Sequence, residues 1–104
     1  MKESKIFVVI KEPGNAPVIE PMFDNSLESF QKAVCGYIET VTISDDLVII
    51  CNEEGRLMDL PMNVEVAGIG FVGTIVVAGV DGEEFSSVKS RYVPLVLQLL
   101  GGRA

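Results

Sequence analysis

Runs of apolar residues broken by turn-forming clusters organise this chain. Ile6 to Ile10 is β-branched and aromatic, the composition of a buried strand, and Glu12-Pro13-Gly14-Asn15 then supplies turn chemistry. A hairpin follows, with a return strand from about Pro17 to Phe23. Pro17 and Pro21 confine that strand to an edge or an irregular position, because neither donates to a ladder. Asn25 with Glu28 three residues on has the form of a capping box, and Leu27, Phe30 and Val34 share one helical face. Gly36 stands where such a helix ends in a left-handed residue. Tyr37 to Ile43 and Leu47 to Cys51 read as an antiparallel pair joined at Ser44-Asp45-Asp46, the second an unbroken apolar run suited to a strand covered on both faces.

Farther along, Asn52-Glu53-Glu54-Gly55 has the chemistry of a tight turn closed by a left-handed glycine, returning Arg56-Leu57-Met58 alongside as a strand. Pro61 to Gly70 carries weak signals. Val72 to Ala78 gives another strand, its partner unspecified. Ser86 is a candidate helix cap, and Val88, Tyr92, Leu95, Val96 and Leu99 fit helical spacing around Pro94, so the segment is two short helices or one kinked one. The pattern therefore predicts an α+β domain spanning residues 1–104: a mixed, mainly antiparallel sheet of about five strands, one well-formed helix, a C-terminal helical segment and a frayed tail from Gly101 to Ala104.

The length of 104 residues suffices for a core without staples. The apolar run near Met1 is shorter than a signal-peptide core and lacks a cleavage site, and no stretch approaches the roughly 20 residues that span a bilayer. A cytoplasmic, membrane-independent protein is the expectation. Cys35 and Cys51 stand in no metal-binding spacing, and with no histidine in the chain they read as two buried thiols rather than zinc ligands.

Fifteen acidic against eight basic residues give a net charge of −7, which disfavours a direct grip on nucleic acid and suits a basic protein partner. Gly68 to Gly73 spells GxGxxG, but a β-branched run follows where the fingerprint needs a helix. The pairs Asp45-Asp46, Glu53-Glu54 and Glu83-Glu84 sit at turns, where neighbouring carboxylates diverge into solvent. Without histidine, the common Ser-His and Cys-His schemes are unavailable. No catalytic, cofactor or metal residue is assigned. The stretch from Asp45 to Glu65 carries six acids against Arg56 alone, and Asp45, Asp46, Asn52, Glu53, Glu54, Asp59, Asn63 and Glu65 form the candidate interaction surface.

Asn25 to Gln31 running into Gly36-Tyr37-Ile38-Glu39, then Cys51 to Leu57, then Leu60-Pro61-Met62-Asn63, with Gly73-Thr74 and Asp81-Gly82-Glu83 beyond, resemble a small domain of unknown function from bacteria, phages and mobile elements. The resemblance covers nearly the whole chain and brings no established activity, cofactor or site residue. It implies an accessory or host-interaction role. Cys35 stands where a small residue such as glycine is expected in that pattern, and Val93 to Leu97 is more apolar than its helical end.

The expectation for function is thus a noncatalytic protein-interaction domain. The alternatives are an acidic DNA mimic that inhibits a DNA-binding protein, and a small-molecule binder or enzyme. Against mimicry, a chain this size is roughly 33 Å across, a length of duplex that carries on the order of 20 phosphates. Self-association is expected through Val93, Leu95, Val96, Leu97, Leu99 and Leu100, which are many apolar side chains for one face of a short element.

Overall fold

The computed structural model describes residues 3–101. The export-signal reading at Met1 and Lys2, and the tail beyond Gly101, fall outside that range. The elements run β1 (Lys5–Lys11), β2 (Val18–Asp24), α1 (Leu27–Val34), β3 (Ile38–Ser44), β4 (Leu47–Asn52), β5 (Met62–Val66), β6 (Ile69–Val72), β7 (Ile75–Asp81), β8 (Glu84–Ser86) and α2 (Val93–Leu99). The α+β class holds, but the described residues form eight strands rather than about five. Six form one sheet in the order β2-β1-β7-β4-β3, with β8 pairing β7 beyond the end of β1, while β5 and β6 make a separate hairpin. Every pairing is antiparallel, so the sheet is not mixed.

Alternation along β4 and β7 divides the interior in two. Val48, Ile50, Val76 and Ala78 face α1, where they join Ile6, Val8, Phe30 and Val34. Leu47, Ile49, Cys51, Ile75 and Val77 face the other way, toward Val66 and Phe71 of the hairpin and Val96 and Leu100 of the C-terminal segment. A strand with period-two geometry and apolar residues at every position demands cover on both faces, and the chain supplies it with different elements on each side.

Local caps depart from expectation in instructive ways. Ser26, not Asn25, caps α1, its hydroxyl accepting from the Ser29 N–H at 3.1 Å. Asn25 is buried instead, and its amide donates to the carbonyls of Glu3 (2.9 Å) and Phe85 (3.1 Å), tying the helix entry to two other segments. Cys35, not Gly36, takes the left-handed position at the helix end, with φ 66°. Gly36 is required by proximity, since a Cβ there would lie 2.7 Å from the Asn52 amide.

Ser86 belongs to β8 rather than to a helix cap. Pro94 opens α2 after a single 3-10 turn at Ser90–Tyr92, so it starts the helix without kinking one. Of the six apolar residues assigned to self-association, Val96 and Leu100 are buried, Val93, Leu97 and Leu99 pack partly against the core, and Leu95 is exposed.

The largest local correction lies after β4. Arg56-Leu57-Met58 is not a strand. The Met58 N–H reaches the Glu54 carbonyl, the Asp59 N–H that of Arg56 and the Leu60 N–H that of Gly55, a helical turn closed in the Schellman manner. Asp59 occupies its left-handed position at φ 57°, whereas Gly55 lacks a positive φ and is held small because a Cβ would lie 2.8 Å from Val72 Cγ2.

These two positions therefore respond oppositely to exchange. Gly55→Ala is expected to cost about 2 kcal/mol by overpacking, relieved in part by Val72→Ala. Asp59→Gly should stay within about 0.5 kcal/mol of the parent or improve on it, because glycine tolerates positive φ. Chemical denaturation of the variants measures both.

Candidate functional site

The C-terminal end of β4 organises a cleft. Asn52 is buried and fully engaged: its amide donates to the Val34 carbonyl at 3.0 Å, and its Oδ1 accepts from the Glu54 N–H at 2.7 Å. This residue binds the end of α1 to the start of the 53–59 turn. The hairpin of β5 and β6 then folds across the sheet face occupied by Cys51, and Arg56 Nη2 donates to the Gly70 carbonyl at 2.6 Å, bridging turn and hairpin. Between them lies a cleft of about 260 Å³ bounded by β3, β4, the turn and β6.

The cleft wall is of two kinds. Val41, Cys51 and Phe71 give it an apolar lining, while Glu39, Glu53 and Glu54 contribute three acidic residues to its border against the single basic residue Arg56. Leu57 is 85% exposed and Ile69 44%, so two unburied apolar side chains also border the opening. Glu39 pairs directly with Cys51 across the β3–β4 ladder. Burial, and secondarily the Glu39 charge, pushes the Cys51 thiol up to about 11. At neutral pH it is protonated, which removes it as a nucleophile or thiolate ligand. Among the described residues, no group of three or more Cys, Asp or Glu is placed to hold a metal ion.

The eight candidate surface residues do not form one surface. Asn52, Glu53 and Glu54 line the cleft. Asp45 and Asp46 sit at the opposite end of β4, where Asp46 accepts from Lys89 Nζ at 2.8 Å and from the Tyr92 hydroxyl at 3.3 Å, anchoring the C-terminal segment. The Lys89 hydrogen bond, with those from Ser44 and Tyr92 and against some desolvation, holds the Asp46 carboxyl below its ordinary value. Asn63 is a structural bridge, donating to the Lys11 and Gly73 carbonyls and accepting from the buried Lys11 ammonium. Asp59 closes the turn, and Glu65 is exposed on β5.

Sequence reasoning missed Glu39, Ile69 and Phe71. The β3–β4 register would have placed Glu39 beside Cys51. The hairpin left a fainter trace, because its two-residue turn is Ala67-Gly68, both at positive φ, and alanine is a poor signal for that geometry.

Both cysteines are free thiols, but Cys35 is exposed, contrary to the expectation of two buried ones. Thiol titration without reductant should count one fast group in the native protein and a second only after denaturation. Two fast groups would mean that the cleft floor is open, and none in the denatured chain would mean a disulfide.

No helix among the described residues is long and apolar enough to cross a membrane. No curated protein and no solved structure matches the chain significantly. A family model does match, over residues 4–100, a span that contains the whole cleft: the chain belongs to the family Domain of unknown function (DUF3846).

Proposed function

We propose that this is a noncatalytic protein-interaction domain whose cleft between β3 and the β5–β6 hairpin receives a basic segment of a partner. The observation that carries this reading is the pairing of three carboxylates with an apolar lining in one cleft, bordered by the exposed Leu57 and Ile69. A lysine or arginine side chain suits such a wall at both ends, its methylene stem lying on Val41 and Phe71 and its charged head meeting Glu39, Glu53 and Glu54. Arg56 offers little competition, because its guanidinium is engaged by the Gly70 carbonyl. The net charge of −7 adds long-range attraction for a cationic partner. An accessory role directed at a host protein suits the resemblance to domains of phages and mobile elements.

Exchange of Glu53 and Glu54 for lysine tests the reading with little risk to the fold, since both side chains are exposed and the Asn52 contact uses the Glu54 backbone. Each exchange removes one negative charge and adds one positive, so the pair takes the net charge from −7 to −3. Folding stability should change by only about 0.5 kcal/mol. Capture of partners from a cell lysate by the immobilised domain should fall at least tenfold. A variant that folds normally and retains every partner would contradict the assignment of this cleft.

A further inference from the structure

We infer that the partner segment binds in extended form, as an antiparallel strand added to the free edge of β3, with its basic side chains entering the cleft; the inference rests on the reading above that the cleft takes a cationic polypeptide.

β3 is the last strand of the sheet, and among the described residues no element pairs with its outer side. The Glu53 N–H donates to the Tyr37 carbonyl at 2.8 Å, which sets the alternation along the edge. Tyr37, Glu39 and Val41 turn their backbone groups toward β4, so Ile38, Thr40 and Thr42 turn theirs outward, where a further strand would take them.

The opposite edge of the sheet is formed by β2, which contains Pro21 and pairs irregularly with β1. Proline and irregularity are devices that block edge-to-edge pairing. β3 has no proline, and its sequence from Ile38 to Ile43 is β-branched at every position but Glu39. Its register with β4 is regular from Ile38 to Thr42. One edge is thus guarded and the other left suited to pairing.

The cleft lies on the β3 face that carries Glu39 and Val41. In an added strand, the residues opposite Glu39 and Val41 project to that same face, and directly opposed side chains have Cβ atoms about 5 Å apart. A lysine opposite Glu39 thereby reaches the Glu39 carboxylate and the cleft mouth together. Main-chain bonds to Ile38, Thr40 and Thr42 supply affinity, and the cleft supplies the preference for a basic residue at alternate positions. Charge favours this occupant over a second copy of the chain, which would bring two domains of −7 together.

The test uses the peptide acetyl-Thr-Lys-Val-Lys-Val-Thr-amide and amide-resolved NMR on the full chain. With its lysines opposite Glu39 and Val41, its valines present their N–H groups to β3. Addition of the peptide should slow hydrogen exchange at Ile38, Thr40 and Thr42. N-methylation of the two valines should weaken binding at least tenfold, whereas N-methylation of the lysines should leave it nearly unchanged. Replacing both lysines by glutamate, or introducing Glu39→Lys in the protein, should also weaken it at least tenfold.

Equal binding of the two methylated peptides, with shifts at the cleft, would overturn strand addition while leaving the cationic cleft standing. Equal binding of the lysine and glutamate peptides, or binding of neither, would overturn both. Protection of the same three amides in the protein alone, rising with its concentration, would assign the edge to a second copy instead.

Discussion

Burial of β4 and β7 on both faces is the constraint from which the rest of the architecture follows. Every residue from Leu47 to Asn52 and from Ile75 to Gly79 is buried, and alternate side chains enter separate cores. Neither face can be left to water, so α1 and the Phe85 region close one side while the β5–β6 hairpin and α2 close the other. The two outer strands β2 and β3 are mostly exposed, with no residue of either fully buried. The cleft arises where cover of the second face is incomplete, between the hairpin and β3. Its composition follows from that position: core residues at its base, margin and turn residues around its opening.

Irregular segments in this fold are held by asparagine. Asn25, Asn52 and Asn63 each bridge backbone groups that their own elements leave unpaired: Glu3 with Phe85, Val34 with Glu54, and Lys11 with Gly73. A carboxamide offers donors and an acceptor without charge, which suits such positions under burial. Asn52 has the further effect of fixing the 53–59 turn, and through it the placement of Glu53, Glu54 and Arg56 at the cleft. Site geometry and fold stability are coupled at that residue.

The parts of this structure that were legible in the sequence are those that depend on local pattern. Ile6 to Ile10 and Leu47 to Cys51 announce strands β1 and β4 because burial on both faces leaves unbroken apolar runs. The strand expected over Val72 to Ala78 is β7 from Ile75 on, Val72 belonging to β6. Of the helical face expected for α1, Phe30 and Val34 are buried while Leu27 is exposed. The acids at Glu53 and Glu54 were visible as turn residues. What stayed hidden depends on contacts distant in sequence. The three asparagines satisfy the chemistry of caps and turns equally well, so only the structure separates a cap from a buried bridge. Gly55 and Gly36 looked like conformational glycines, whereas each is kept small by a neighbour that arrives from elsewhere, Val72 in one case and Asn52 in the other. Strands β5 and β6 are short and pair through a turn that uses alanine at positive φ, so neither alternation nor turn chemistry marks them strongly. The β3–β4 register brings Glu39 close to Glu53, whereas the facing wall of Ile69 and Phe71 depends on that same hairpin.

Native-state hydrogen exchange of the free protein tests the central claim most directly, because it ranks segments by the free energy of opening. If β4 and β7 hold the fold together, amides from Val48 to Ile50 and from Val76 to Ala78 exchange only through global unfolding, with opening free energies equal to that from chemical denaturation. Amides of the β5–β6 hairpin then open locally at a lower free energy, as befits a cover layer. Hairpin amides as slow as those of β4, or central-strand amides that open below the global value, would contradict the account.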